Sequence, residues 1–207
     1  MHNLTFLCRI LASATHEMQN ILAIIKESGA LAGDVLHLNG PPRMKHGDKL
    51  LSALGTVETQ VERGRTLMMA LNTCAHAADA EYDLLDLPVF CERAAVLAER
   101  MARMKECSLK LVKSLDKGRM RADGFDFIQS VYRAVELVLA GCQAGDDLTL
   151  ELRAAQNGQA LVRVASKTAR AVPQSDAALD AMAARIGAQL HLEEGCLSLI
   201  APLAAEE

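Results

Sequence analysis

One histidine in this chain is set apart by its neighbours. It is His16, in the run Thr15-His16-Glu17-Met18-Gln19-Asn20. A neutral imidazole is a nucleophile near physiological pH. A carboxylate beside it can fix its tautomer, and a carboxamide can orient a water molecule. Asn20 follows His16 by four residues, so on a helix the two share a face. These residue types at this spacing place His16 for chemistry with something that docks from outside, with Glu17 and Asn20 beside it.

The chemistry requires that His16 look outward, and the surrounding pattern provides this. Leu4, Leu7, Leu11, Ala14, Met18, Ile21 and Ile25 recur at gaps of three and four, as the a and d positions of heptads do. His16 then falls at f, furthest from the seam, with Glu17 at g and Asn20 at c. The helix runs from about Leu4 to Leu38. Gly29 and Gly33 each weaken it by roughly 1 kcal/mol against Ala where exposed. Asn39-Gly40-Pro41-Pro42 stops it, because Asn-Gly favours positive φ and prolines cannot continue a helix. A second helix starts between Met44 and Asp48 and reaches about Ala78. Its stripe is Leu50, Leu54, Val57, Val61, Gly64, Met68 and Leu71.

Two long helices joined by a short loop make an antiparallel hairpin. One hairpin leaves part of each apolar stripe bare. Two hairpins paired as a four-helix bundle would bury the remainder, so the pattern predicts a homodimer. The alternative is a hairpin packed on its own C-terminal half. The boundary falls near residue 80: 1–80 is the hairpin and 81–207 a separate α/β layer.

In that second part, Tyr82 to Leu87 reads as a short strand or connector, Pro88 to Cys107 as helix, and Leu109 to Leu115 as strand. Phe125 to Ala140 is an amphipathic helix. Leu148 to Leu152 and Ala160 to Val164 alternate as strands joined through Asn157-Gly158, a hairpin signal. Ser175 to Gln189 reads as a helix with Ser175 as N-cap. Leu190-His191-Leu192 and Leu197 to Ile200 form a last hairpin around Glu194-Gly195. The order predicts a mixed sheet with helices on one face, so the whole chain is α+β.

Composition narrows the function. Apolar residues make up 51% of the 207, enough for a core, yet there is no Trp and only two Tyr and four Phe. Ala, Leu and Met must fill the interior, which favours helices. A net charge of −4 without a basic cluster gives nucleic-acid binding no electrostatic support. The six cysteines lack CxxC or zinc-ligand spacing, so they read as reduced, buried, small apolar side chains of a cytoplasmic protein. There is no cleavage signal and no apolar run of membrane-spanning length. With fifteen residues before His16, the expectation is that no sensor domain or membrane receptor precedes it.

The segment His16-Glu17-Met18-Gln19-Asn20 resembles the phosphoacceptor motif of bacterial two-component histidine kinases, a His followed by an acidic residue with Asn or Thr four residues after the His. The element order over 82–203 is similar to the family's ATP-binding domain. Arg121-Ala122-Asp123 resembles the strand end before its nucleotide-binding helix, and Pro202 its closing Leu-Pro. The nucleotide motifs depart from the family. Its Asn-rich helix motif, which holds Mg²⁺ and phosphates, corresponds to Tyr132 to Val138, with Arg133 and Leu137 at the two Asn positions. A leucine cannot ligate Mg²⁺, which takes oxygen ligands. Ser166-Lys167-Thr168-Ala169-Arg170 stands where the family has its Asp-x-Gly-x-Gly turn. Only Val172-Pro173-Gln174 fills the place of its glycine-rich lid.

An intact acceptor and a missing donor site resemble histidine phosphotransfer proteins built as degenerate kinases. The resemblance implies a phosphorelay that moves phosphoryl between the Asp of a response-regulator receiver domain and His16. It implies no cofactor bound by this chain, with Mg²⁺ supplied by the receiver. Thr15, Gln19, Ala23 and Lys26 would line the receiver-docking face beside His16. Three other readings stand beside relay: a receiver phosphatase using Asn20 and water, a non-catalytic dimeric scaffold that holds a receiver, and an ATP-dependent kinase with an unusual nucleotide site.

Overall fold

The computed structural model describes residues 3–39, 47–79, 83–169, 176–193 and 195–204. The chain divides into two compact units. One is Leu7–Met69, and the other combines Met1–Phe6 with Ala70–Glu207.

Helix α1 spans Asn3–Asn39 and α2 spans Gly47–Asp79, within a residue or two of the expected limits. Gly64 on α2 faces α1, where a Cβ would lie 3.6 Å from Ile21 Cγ2 and 3.9 Å from Met18 Sδ. This contact fixes the direction of the pair. Ile21 and Gly64 are each about 26 Å of helix from the loop-side end of their own helix, at 1.5 Å per residue. They can meet only if α2 runs back along α1. Residues 7–69 are therefore an antiparallel hairpin.

The seam inside that hairpin is rotated from the expected one. Ile10, Ala14, Ile21, Ala32 and Val35 are buried on α1, with Ala53, Gly64 and Leu67 on α2. Leu4 and Leu11, read as seam residues, are 72% and 55% exposed. Each helix carries an apolar arc broader than one partner helix covers. One edge of the arc closes the hairpin. The other edge stays open on both helices, as Leu11 and Leu22 on α1 and Leu54, Val61 and Met68 on α2.

The second unit is an α/β layer. Strand β1 (Asp83–Asp86) pairs antiparallel with β3 (Arg119–Ala122) as a small separate ribbon. Between them come α3 (Leu87–Met104) and β2 (Ser108–Lys113). Asp86 caps α3 by accepting from the Val89 N–H, and Pro88 stands in the first turn, where no helical N–H is needed. Then follow α4 (Gly124–Ala140), β4 (Asp147–Ala155), β5 (Gln159–Ala165), α5 (Ala177–Arg185), β6 (Gln189–Glu193) and β7 (Cys196–Pro202).

The main sheet has the order β2-β4-β5-β7-β6, with β2 and β4 parallel and the other pairs antiparallel. It is mixed, as expected. Leu148, Leu150 and Leu152 of β4, Val162 and Val164 of β5 and Leu197 and Leu199 of β7 are buried on the face that receives the helices. The alternate residues Thr149, Glu151, Arg163 and Ser198 stand half-buried on the other face. The β4–β5 turn sits at Asn157 and Gly158, both at positive φ, as the Asn-Gly pair requires.

Helix α5 corrects one reading. It is shorter than 175–189, and its N-cap is Asp176, which accepts from the Leu179 N–H. Ser175 lies outside the described residues. Gly187 at φ +68 ends the helix, and Gln189 already belongs to β6. The cysteines are all free, and five are buried as expected, but Cys8 is exposed. Burial pushes the Cys91 thiol up to about 12 and that of Cys74 up to about 11, so neither supplies thiolate at neutral pH.

Two ion-paired groups join α4 to α5. Arg185 donates to both oxygens of the buried Asp126, at 2.5 and 2.7 Å. Arg133 donates to Asp176 Oδ2 at 2.5 Å and to Glu136 Oε2 at 2.6 Å. The Arg133 hydrogen bond holds the Asp176 carboxyl below the usual carboxylate range. A carboxylate held down in this way stabilises the fold above its unfolded pKa of about 3.9. That stability is lost as pH falls through the lower folded value. Asp176→Asn keeps a good N-cap and removes the charge. We expect it to cost about 1 kcal/mol at pH 7 and to flatten the acid limb of a thermal-melting series between pH 5 and pH 2. An unchanged acid limb would remove the pair from the account.

Candidate functional site

The candidate site lies on α1 within the hairpin. At about 100° per residue, His16, Asn20, Ala23, Gln19, Lys26 and Thr15 fall on one side of the helix, turned away from the buried seam. All six are exposed. The four residues assigned to partner docking thus form one continuous band with the imidazole and the carboxamide. The band holds donors, acceptors and one cation. No hydrogen bond or ion pair engages His16 among the described residues.

Glu17 behaves differently. Its main chain adjoins His16, but successive side chains on a helix diverge by about 100° and do not face each other. Glu17 points into the hairpin and is only 8% exposed. Its Oε1 accepts from Nη2 of Arg63 on α2 at 2.6 Å. The hydrogen bond to the imidazole that the sequence suggests is replaced by a salt bridge across the hairpin. Burying a carboxylate is costly unless a charged donor meets it, and Arg63 is that donor. The Arg63 side chain is 36% exposed, so part of the guanidinium borders solvent.

Sequence reasoning missed Arg63. A signal was present: Arg63 precedes Gly64, the small residue in the α2 stripe, and so stands at the seam edge opposite the g position of α1. Without the rotated seam, nothing paired it with Glu17.

At the places of the family's nucleotide motifs, Arg133 is engaged by Asp176 and Glu136, and Leu137 is buried. Ser166 N–H donates to the Gly195 carbonyl, and a Cβ at Gly195 would come within 2.8 Å of the Ser166 carbonyl. Residues 170–174, including the lid stretch, lie outside the described residues. No group of three or more His, Cys, Asp and Glu side chains is placed for a metal ion among the described residues. No helix among them is long and apolar enough to cross a membrane.

No family model and no curated protein sequence matches the chain. Solved structures do. The mycobacterial sensor histidine kinase MprB is similar with a TM-score of 0.47 and 10% identity, over 59% of this chain and 97% of its own. The Acinetobacter baumannii histidine kinase AdeS is similar with a TM-score of 0.48 and 12% identity, over 92% of this chain and 98% of its own. A histidine kinase from Burkholderia phymatum gives 0.49 and 12%, over 93% and 98%.

Proposed function

We propose that this chain is a histidine phosphotransfer protein of a two-component phosphorelay. It would carry phosphoryl between the aspartate of a response-regulator receiver domain and His16. The observation that carries the reading is the exposed band on α1, in which His16 stands clear of the seam with Asn20 one turn away. Transfer between aspartate and histidine needs position more than covalent help, because both phosphorylated forms are high in energy.

In the transfer step a ring nitrogen of His16, taken as Nε2, attacks phosphorus with its lone pair. The P–O bond to the receiver aspartate breaks and its electron pair stays on that carboxylate. The imidazole keeps its other ring proton as the P–N bond forms. Mg²⁺ belongs to the acidic site of the receiver, and this chain binds no cofactor. Thr15, Gln19, Ala23 and Lys26 provide the docking face. The protein acts in the cytoplasm as a homodimer of hairpins, the open apolar edges of α1 and α2 closing on a second copy as a four-helix bundle.

Asn20 supports a second reading, a receiver phosphatase in which the carboxamide orients a water molecule. One experiment separates the readings. Purified protein is mixed with labelled phospho-receiver, and the label is followed. Label on His16 supports relay, and label released as phosphate supports phosphatase action. Label that stays on the receiver points to a scaffold. With ATP and Mg²⁺ alone we expect no labelling, since Arg133 and Leu137 stand where oxygen ligands would be needed. Nucleotide-dependent labelling of His16 by the isolated protein would make it a kinase.

A further inference from the structure

We infer that Arg63 is a positioning residue for phosphoryl transfer at His16, acting through Glu17. The inference rests on the phosphotransfer reading. Its basis is the salt bridge across the hairpin: Glu17, covalently next to His16, is buried and held by Arg63 at 2.6 Å, while His16 is exposed.

Two effects follow from that geometry. The first is electrostatic. A phosphoryl group approaching the imidazole brings negative oxygens toward a helix turn that already carries the Glu17 carboxylate. Like charges in a half-dry setting repel strongly. Arg63 offsets the carboxylate charge from across the seam, which lessens that repulsion. The second is steric. A buried carboxylate that loses its guanidinium loses part of what offsets its desolvation. A side chain held less firmly in the seam turns more readily toward solvent, and the preceding residue, His16, is exposed. Turned that way, the carboxylate occupies the approach to the ring and competes for its N–H. Arg63 keeps the carboxylate in the seam and leaves the imidazole open to the receiver. The guanidinium itself forms no bond to phosphorus and donates no proton in the step.

The test uses the full-length protein, a labelled phospho-receiver in excess and rapid quenching. It compares wild type, Arg63→Ala, Arg63→Lys, Glu17→Gln and the double variant Glu17→Gln/Arg63→Ala. Arg63→Ala is expected to slow labelling of His16 at saturating receiver by about tenfold or more. The half-saturating receiver concentration should change by less than about twofold, since the docking band is untouched. Arg63→Lys should recover part of the rate, because a point cation still neutralises Glu17 but loses the planar fork. The double variant should be no slower than Glu17→Gln, because Arg63 then has no carboxylate charge at position 17 to hold.

Thermal melts are run on every variant, and rates are compared well below each midpoint, so that loss of hairpin stability is read separately. If wild type labels and Arg63→Ala labels at the same rate, the inference falls and the phosphotransfer reading survives. If the two single losses multiply in the double variant, Arg63 does not act through Glu17 and the inference falls. If the rate loss vanishes once variants are compared at equal distance below their melting points, the salt bridge is structural only, and the inference falls. If wild type takes no label, the phosphotransfer reading itself falls and this inference with it.

Discussion

His16→Gln should abolish labelling from a phospho-receiver and leave the fold intact. The imidazole is exposed and engages none of the described residues in a hydrogen bond or ion pair, so its replacement leaves no cavity and strands no buried partner. Exposed helix substitutions of this kind change stability by about 0.5 kcal/mol or less. The effect on transfer should be total, because a carboxamide is not a phosphoryl acceptor. Acid-labile, base-stable label on wild type and none on the variant, with superimposable melting curves, is the expected pair of results. A melting point lowered by many degrees would instead make His16 a packing residue. Asn20→Ala divides the two readings of the site. It should spare labelling of His16 and reduce any release of free phosphate, because a carboxamide one turn away can orient water for the receiver but does not attack phosphorus. If it erased labelling as fully as His16→Gln, Asn20 would belong to docking or to the transfer step.

Much of the architecture was legible because several signals agreed at each point. The three-four spacing, Asn39-Gly40 and two prolines placed α1 and α2 to within a residue or two. Asn157-Gly158 placed the β4–β5 turn, where both residues take positive φ. Legibility failed where a single signal carried the reading. Ser175 and Asp176 are both good caps, and only tertiary packing decides between them: Arg133 and the Leu179 N–H together hold Asp176. The ribbon of β1 with β3 was only partly visible, because four-residue strands leave little periodicity to count.

The site shows the same division. His16 and Asn20 were readable as outward-facing, since exposure on a helix follows from spacing alone. The fate of Glu17 was not. A g position borders the seam, and whether its side chain turns out to water or in to a partner depends on what the opposite helix presents. Arg63 decides that here, and a pairing between helices 46 residues apart in sequence leaves no trace in local spacing. The rotation of the seam has the same origin. The apolar arc of α1 is wide enough for two neighbours, and a heptad count cannot say which edge meets which neighbour.

That second edge carries the last prediction. Val61→Asp should convert the proposed dimer to a monomer without unfolding it. In the single chain Val61 is 55% exposed and Leu54 is 48% exposed, so a carboxylate at either place meets water and costs the hairpin little. Leu67 is buried in the seam of the same helix, and a charge there would unfold the hairpin instead. In a bundle of two hairpins the open edge becomes interior. Two-fold symmetry then buries two carboxylates for one substitution, each costing several kcal/mol when unpaired. Association should weaken by a factor of about a thousand or more in affinity, at about 1.4 kcal/mol per tenfold. Sedimentation equilibrium at micromolar concentration reads the mass, and far-ultraviolet circular dichroism reads the helices. A dimeric wild type with a monomeric, fully helical Val61→Asp identifies the Leu54–Val61–Met68 edge as the contact between copies. A wild type that is monomeric at that concentration would remove the bundle. A variant that stays dimeric would move the contact to another face.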